Sequence, residues 1–450
     1  MPRLAFALIA ALAACGGAAG GDGGLQPIAD QEAMAAEYRA FLDAGRTPAD
    51  IVAWTAEQSD WLVVDLSDVD QRRVHPGDRL VFIDRGRTAL FVVVGKQPLA
   101  RHGARMVCGH IDTPSPKLRA TVVVDEKGEA RIIGDSYGGM RKHHWVGTPL
   151  GLVGRVAARG GREIPIRVGF GDEFSLFGIA ERDGSIVAVA ASTARGKKET
   201  AKITFLRYLN EQYDITADDL AASELYLVPV WPAREVGLDR SLIGAHGQDD
   251  RLNSYAAWRA VMDAGDTEHT AIAWLVDREE IGSTGPTGAR SRFLEMVYAW
   301  LLRAEGAKAD ERTLARAFAA TSALSSDTPA ALNPNFPEPH LKRLAPLIGN
   351  GPVMFPYAGR GGKQGSHTAR AEIIRETLDV FEAAGAPVQT GELGKVEAGG
   401  GGTISKYLGE RGIDVVDIGI PVISMHSTLE LSSKVDLWWG YLGFRAWLQQ

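Results

Sequence analysis

Apolar runs alternate with amphipathic stretches over the second half of the chain. The runs at 225–230, 270–276 and 415–422 are rich in β-branched residues and predict buried strands. Apolar residues at helical spacing predict helices between and after these runs, at 248–262, 292–305, 369–384, 403–410 and 435–448. A regular alternation of strands and helices is typical of a doubly wound α/β sheet, in which helices cover both faces.

The first half of the chain has a different pattern. Helical spacing at 28–45 gives way to short β-like runs from residue 78 onward, and residues 119–239 contain mainly short strands and turns. Residues with metal-binding chemistry stop before this segment and resume after it. We therefore predict an α/β fold, with a doubly wound mixed sheet built from residues 28–118 and 240–450 and an inserted, mostly β second domain at 119–239.

Residues 1–27 are predicted to lie outside this fold. A short basic start precedes an apolar run at 4–14, which is too short to span a bilayer and suits a signal peptide. The run ends in Leu-Ala-Ala-Cys15-Gly, which resembles the lipobox of bacterial lipoproteins. That resemblance implies cleavage before Cys15, its lipidation, and anchoring to a bacterial membrane on the periplasmic side or the cell surface. Residues 16–24 then form a Gly-rich tether. The alternative is a plain secretory signal with a chance cysteine.

Composition narrows the function classes. The chain has 450 residues, 45% of them hydrophobic, as in ordinary globular proteins. Its net charge is -7 and no basic block occurs, which argues against nucleic-acid binding. The second cysteine, Cys108, stands in a β-like run and is interpreted as a small buried apolar residue.

Two adjacent glutamates, Glu279 and Glu280, follow the predicted strand at 270–276. Charge at such a position is unfavourable unless a cation lies nearby. Adjacent residues leaving a strand point to opposite sides, so one glutamate can bind a metal while its neighbour faces the substrate as a base. The alternative is a solvated loop that leads into a helix.

Further acids and histidines stand where predicted strands give way to loops. In an open α/β sheet this edge is where ligands bind. Nitrogen and oxygen side chains favour zinc, with cobalt and manganese as alternatives. The candidate set is His110, Asp249, Glu279, Glu280, Asp327 and His426. Two ions need a bridging carboxylate, which is Asp249 or its neighbour Asp250. Asp112 stands two residues after His110 and is placed to orient the site.

Six stretches together resemble the M18 family of metallo-aminopeptidases, the aspartyl aminopeptidase group. They occur in the family's order, and they cover both arms of the predicted catalytic domain. They are GHIDTPSPKL (109–118), QDDRLN (248–253), DREEIGSTG (277–285), SSDTPAALNP (325–334), EAGGGGTI (397–404) and DIGIPVISMHSTLE (417–430).

The resemblance implies a dinuclear aminopeptidase that removes N-terminal residues, with a preference for Asp or Glu as one option. His110 and Asp327 bind one metal ion, Glu280 and His426 bind the other, and Asp249 bridges them. Glu279 is the general base and Asp112 supports the site. A free substrate α-amine anchors near the metals, and the protein is expected to form a homo-oligomer.

The chain also departs from the family pattern. Gly147 and Thr148 stand where the family usually has Asp-Arg, in the domain that builds the oligomer. His144 and His367 are candidates for the substrate site, with surface histidines as the alternative. Lys363 in the Gly-rich loop 359–365 is a candidate partner for an acidic substrate side chain, or an exposed loop lysine.

Two other functions remain open from the sequence. One is a metal-dependent amidohydrolase of N-acyl amino acids, which a requirement for a free substrate amine would separate from an aminopeptidase. The other is a catalytically silent, peptide-binding lipoprotein. The presence of the general base and of every ligand-type residue argues against the silent protein.

Overall fold

The computed structural model describes residues 28–67, 72–171, 174–192, 199–359, 366–392, 395 and 401–450. The predicted leader with Cys15, the loop residue Lys363 and part of the Gly-rich stretch at 397–404 lie outside the described residues. Within those ranges, every helix is too short or too polar to cross a membrane.

The first arm begins with two capped helices. The Asp30 side chain accepts hydrogen bonds from the first turn of α1, and Thr47 with Asp50 forms a capping box at α2. The elements of this arm are α1 (Gln31–Ala44), α2 (Pro48–Gln58), β1 (Leu62–Val64), β2 (Arg79–Asp84), β3 (Thr88–Val93), α3 (Leu99–His102) and β4 (Ala104–His110).

The middle of the chain forms a sheet of its own, closed by a pairing of residues 223–229 with residues 150–156. Its elements are β5 (Ser115–Glu126), β6 (Glu129–Tyr137), β7 (Pro149–Ala158), β8 (Arg162–Val168), β9 (Leu176–Arg182), β10 (Ser185–Ser192), α4 (Ala201–Tyr213) and β11 (Ser223–Pro229). The sheet thus spans 115–229, and its core is separate from that of the two arms.

The second arm returns to alternating strands and helices. Its elements are β12 (Arg234–Val236), β13 (Leu242–Ala245), α5 (Gln248–Met262), β14 (Thr270–Val276), α6 (Phe293–Ala304), α7 (Glu311–Ala319), β15 (Ser322–Ser325), β16 (Val353–Met354), α8 (Ala371–Ala383), β17 (Gln389–Thr390), α9 (Ser405–Gly409), β18 (Asp414–Gly419), β19 (Val422–Ile423), β20 (Glu430–Ser433) and α10 (Lys434–Leu448). Strand β12 lies within the predicted insert but pairs with β13, in a small sheet that also contains β20 and β19.

The two arms share one main sheet, whose order in the described residues is β1-β2-β3-β14-β4-β15-β18-β16-β17. Its four central strands, β14, β4, β15 and β18, run parallel, whereas β3 and β16 are antiparallel to their central neighbours. Apolar residues of α1, α2, α5, α8 and α10 pack on one face, and those of α6, α7 and α9 on the other. The prediction of an α/β fold with a mixed sheet and a β-rich second domain is therefore confirmed.

Cys108 lies in the middle of this sheet and is fully buried, as its β-like surroundings indicate. Because the central strands are covered on both faces, most of their buried side chains are apolar, and Asp417 within β18 is an exception. Polar side chains cluster where the strands end, and they form the site described next.

Candidate metal centre

Three central strands deliver polar side chains to the same edge of the main sheet. His110 ends β4, and Val276 at the end of β14 pairs with it in register. Ser325 at the end of β15 pairs with Cys108, so Asp327, two residues further on, reaches the level of His110. Glu279 and Glu280 form a short 3₁₀ turn just after β14. Parallel strands thus bring these residues together although they are far apart in the chain.

Asp249 lies between two histidines at this edge. Its Oδ2 is 2.8 Å from Nε2 of His426, and its Oδ1 is 3.5 Å from Nε2 of His110. Nε2 of His426 is also 3.4 Å from Oε1 of Glu280, and Nε2 of His110 is 3.8 Å from Oδ1 of Asp327. Asp249 stands in the first turn of α5, and His426 in the loop between β19 and β20.

The side chains of this cluster form sets of three whose ligand atoms lie within 4.8 Å of one another. In the described part of the chain these sets are His110 with Glu279 and Asp327, His110 with Asp249 and Glu280, and Asp249 with Asp250 and Asp327. These sets include five of the six residues that the sequence selected at strand ends, and the sixth, His426, joins them through its contacts with Asp249 and Glu280.

Asp112 links this cluster to the glutamate turn. Its Oδ1 accepts the backbone N–H of Glu279 at 3.0 Å, and its Oδ2 accepts that of Glu280 at 3.2 Å. Oδ1 also lies 3.4 Å from Nδ1 of His110, which donates to the Asp112 carbonyl at 2.9 Å. A carbonyl only accepts, so this bond leaves Nε2 of a neutral His110 facing the cluster as an acceptor.

Glu430 also accepts backbone N–H groups of the cluster, a role that the sequence did not predict. Its Oε2 accepts the backbone N–H groups of Gln248 and Asp249 at 2.5 and 3.1 Å, and its Oε1 accepts that of His426 at 2.6 Å. One buried carboxylate therefore holds the backbone of two cluster residues that come from different elements. Glu430 closes the stretch 417–430, but its residue type alone does not distinguish it from a surface glutamate.

Asp249 and Asp250 have different surroundings. Oδ1 of Asp250 accepts from Asn253 and Thr328 at 2.6 and 2.8 Å, and its Oδ2 accepts the backbone N–H of His110 at 3.0 Å. Both oxygens of Asp250 are thus used within the fold. Oδ1 of Asp249, in contrast, is buried without a hydrogen bond from any described residue.

The cluster fits a divalent metal ion. Oε1 of Glu280 is a second buried oxygen to which no described residue donates a hydrogen bond, and such atoms are unfavourable without a partner. Imidazole nitrogens and carboxylate oxygens, with no thiolate among them, are ligands that zinc accepts. Sequence and geometry thus both indicate a zinc-binding site.

Burial and mutual repulsion shape the pKa values here. Burial raises the pKa of Glu279 well above its usual value, and Asp327 raises it further. Burial likewise raises the pKa of Glu280 and Asp327. Burial alone would lower the pKa of His110, but the neighbouring carboxylates outweigh it and raise this pKa. Without a metal ion the site therefore tends to hold protons, which a cation would displace.

The structure describes two of the three predicted substrate residues, His144 and His367. His144 ends a 3₁₀ turn of the second domain, where its ring packs against His143 at 4.1 Å between centroids. Nε2 of His367 is 2.9 Å from the carbonyl oxygen of Val415, so this nitrogen is engaged with β18. Lys363 lies outside the described residues. Neither of these two contacts joins His144 or His367 to the metal cluster.

Comparison with known proteins identifies the family. The family model described as aminopeptidase I zinc metalloprotease (M18) matches residues 41–170 and 178–448. A probable M18 family aminopeptidase 1 from Thermotoga maritima is 36% identical over 387 residues, covering 82% of this chain and 85% of that protein. Its counterpart from Clostridium acetobutylicum is 32% identical over 440 residues, covering 92% and 94%.

The fold of this chain is also similar to solved structures of aminopeptidases. A crystal structure of an M18 aminopeptidase from Thermotoga maritima has a TM-score of 0.86 at 33% identity, covering 93% of this chain and 96% of that chain. Aminopeptidase I from Clostridium acetobutylicum gives 0.82 at 28%, with the same shares covered. A dodecameric relative from S. cerevisiae shares the fold, with a TM-score of 0.75 at 22% identity over 92% of this chain and 95% of that chain. The chain belongs to the M18 family of zinc metallo-aminopeptidases.

Proposed function

We propose that this aminopeptidase is dinuclear, with Asp249 as the ligand shared by two metal ions. The observation that carries the proposal is the position of Asp249 between His110 and His426, with its Oδ1 buried and unpartnered among the described residues. Because both oxygens of Asp250 accept hydrogen bonds within the fold, Asp249 is the better bridging ligand.

The remaining four ligands are proposed to form two sets. His110 and Asp327 form one set, with 3.8 Å between Nε2 and Oδ1, and Glu280 and His426 form the other, with 3.4 Å between Oε1 and Nε2. When bound, divalent zinc polarises a peptide carbonyl and lowers the pKa of a water molecule. The residues of the chain then orient the substrate and move the proton.

Glu279 is the proposed general base. It is part of the cluster but of neither proposed ligand set, and its backbone is fixed by Asp112. Burial and Asp327 raise its pKa, so its carboxylate accepts a proton more readily than an exposed glutamate does. Glu279 would take the proton of the attacking water and pass it to the leaving amine.

The substrate is proposed to be the free N-terminus of a peptide, with an acidic first residue preferred. The supporting residue is Lys363, which stands in a Gly-rich sequence, and His144 and His367 are proposed as further lining residues. A positive charge at Lys363 would hold the side chain of an N-terminal Asp or Glu.

A panel of aminoacyl-p-nitroanilides tests the proposal. The protein starting after residue 27 is assayed with zinc, cobalt or manganese, beside Glu279→Gln and the exposed control Glu382→Gln. Loss of the base should lower kcat by roughly 10²–10⁴-fold, and the control should match the wild type. Full activity of Glu279→Gln would contradict the assigned base.

Blocked substrates distinguish the other candidate functions. Hydrolysis of N-acyl amino acids but not of free-amine substrates would favour the amidohydrolase. Zinc binding without hydrolysis of either class would favour the silent peptide-binding protein. Replacing Lys363 by Ala should lower kcat/KM for the Asp and Glu substrates while leaving the Leu substrate unchanged.

We also propose that the protein is anchored to a bacterial membrane through lipidated Cys15 and that it forms a homo-oligomer. The lipobox-like sequence before Cys15 supports the anchor, and the dodecameric relative from S. cerevisiae supports the oligomer. Cys15→Ser should move the protein from the membrane to the soluble fraction of a bacterial host. Light scattering of the soluble form should give a mass several times that of one chain, and a monomer mass would contradict the oligomer.

A further inference from the structure

A segment of the second domain reaches into the metal centre. It consists of Tyr137, Gly138 and Gly139, which stand where β6 ends. The hydroxyl of Tyr137 donates to Oδ2 of Asp112 at 2.9 Å. The carbonyl oxygen of Gly139 accepts a hydrogen bond from Nδ1 of His426 at 3.0 Å. The two hydrogen bonds at its ends thus reach two different catalytic-domain residues.

Gly138 packs against a third residue. A Cβ at this position would lie 3.0 Å from Oε2 of Glu280, and the backbone here has φ +71°. Only glycine takes up this conformation at low cost and leaves room for the glutamate. The backbone of Tyr137 to Gly139 therefore lies against Glu280 and allows its carboxylate to occupy its place in the cluster.

Each contact restrains one group of the cluster. Tyr137 holds the carboxylate of Asp112, which in turn holds the backbone of Glu279 and Glu280. The Gly139 carbonyl only accepts, so Nδ1 of His426 carries the proton and Nε2 of the neutral ring is left as a metal ligand. A second bond, from the N–H of Arg141 to the carbonyl of His426 at 3.1 Å, holds the backbone of the same loop.

We propose that Tyr137, Gly138 and Gly139 are positioning residues through which the second domain sets the zinc affinity of the catalytic domain. The proposal rests on the dinuclear site described under the proposed function. It gives the second domain a role within its own chain. Partners that orient metal ligands typically change metal affinity by about 10–100-fold when they are lost.

Tyr137→Phe removes one hydroxyl from the segment and leaves the ring in place. The matched control is Tyr226→Phe, because the ring of Tyr226 packs edge-on against that of Tyr137 at 5.7 Å between centroids. Gly138→Ala places a methyl group against Glu280. Its control is Gly160→Ala, which has a similar φ of +81° in the same domain but no atom within 4 Å of the added Cβ.

Zinc affinity is measured by competition with a chelator, and the visible spectrum of the cobalt-substituted protein reports the ligand geometry. Tyr137→Phe and Gly138→Ala should bind zinc roughly 10–100-fold more weakly and show a changed cobalt spectrum. Both controls should stay within about twofold of the wild type. KM should change less than kcat, because the segment contacts groups of the metal centre.

Wild-type affinity and an unchanged cobalt spectrum in Tyr137→Phe would overturn the proposal while leaving the dinuclear site intact. If Gly138→Ala does not fold, the zinc affinity and cobalt spectrum of Tyr137→Phe test the proposal on their own. Failure of the wild-type protein itself to bind zinc would instead contradict the proposed function.

Discussion

Glu430 shows how much of the metal centre depends on a single side chain. Replacing it by Gln turns one acceptor oxygen into an NH₂ group that faces backbone N–H groups of Gln248, Asp249 or His426. A buried donor without an acceptor costs about 1–3 kcal/mol. We expect Glu430→Gln to lower the free energy of unfolding by about that amount and to reduce activity at the same time.

Urea unfolding and the nitroanilide assay measure the two effects in Glu430→Gln. The exposed Glu382→Gln serves as the control for removing one carboxylate. Unchanged stability in Glu430→Gln would mean that the three hydrogen bonds are not needed to hold the backbone.

At the residue level, the sequence predicted those groups that follow strand ends. His110 is the last residue of β4, Glu279 is the third residue after β14 and Asp327 the second after β15, so the topology of a parallel sheet brings them together. Tyr137 and Glu430 had no comparable signal, because a side chain that accepts backbone N–H groups or bonds across domains leaves no periodic pattern. Spacing also left Asp249 and Asp250 equivalent, and their hydrogen bonds distinguish them.

Among the elements, the turn before β4 depends on Gly103. Its φ is +63°, and a Cβ there would lie 2.3 Å from the backbone of Ala320. Gly86 has nearly the same φ, +62°, but nothing within 4 Å of an added Cβ. We expect Gly86→Ala to cost about 1–2 kcal/mol from backbone strain alone. Gly103→Ala should cost more than about 3 kcal/mol, because β4 must also move away from Ala320.

Thermal unfolding of the two variants side by side checks this comparison. Because β4 carries His110, Gly103→Ala should also weaken zinc binding, whereas Gly86→Ala should not. Equal melting temperatures would show that the chain before β4 adjusts without strain.

The contact between α6 and α3 should depend on pH. The carboxylate of Glu305 accepts the backbone N–H of Leu99 at the start of α3, and burial raises its pKa from 4.5 to about 7. Between these values the folded protein holds a proton that the unfolded chain has released. Unfolding therefore releases a proton, and the stability from this group falls as the pH rises from about 5 to 7.

Glu305→Gln lacks this dependence. The melting temperature of Glu305→Gln relative to the wild type should rise between pH 5 and pH 8. Glu382→Gln, measured in the same buffers, should show a smaller change. If the difference in melting temperature between Glu305→Gln and the wild type stays constant from pH 5 to pH 8, the pKa of Glu305 is not raised.

Most helices and central strands were predictable because their apolar residues follow one period. Helix α7 was missed because it is short and buries only Ala317 and Phe318. Strand β16 is only Val353–Met354, since proline stands on either side of it. Local pattern also cannot show that β11 pairs with β7, because that contact joins distant parts of the chain.

At the scale of the whole molecule, metal ions are expected to stabilise the fold. The cluster joins β4, α5, β15 and the loop after β19, so an ion bound there connects elements of both arms. Binding at 100 times the dissociation constant contributes about 2.7 kcal/mol. Removing the metal with a chelator should lower the melting temperature, and added zinc should restore it.

Asp249→Asn provides the control for this experiment, because it removes the proposed bridging ligand. Its melting temperature should respond little to zinc or chelator. If neither the chelator nor zinc changes the melting temperature of the wild-type protein, bound metal does not stabilise the fold.

The order of strands in the main sheet also bears on how the protein is made. β1, β2 and β3 of the first arm pair with one another, but β4 lies between β14 and β15 and pairs only with strands of the second arm. On a ribosome that makes the chain from its N-terminus, His110 emerges early, and His426 emerges only with the last loop before β20 and α10. A partly synthesised chain therefore lacks His426, a ligand of the proposed metal centre. We expect the enzyme to remain unable to cut the peptides around it until its synthesis is nearly finished.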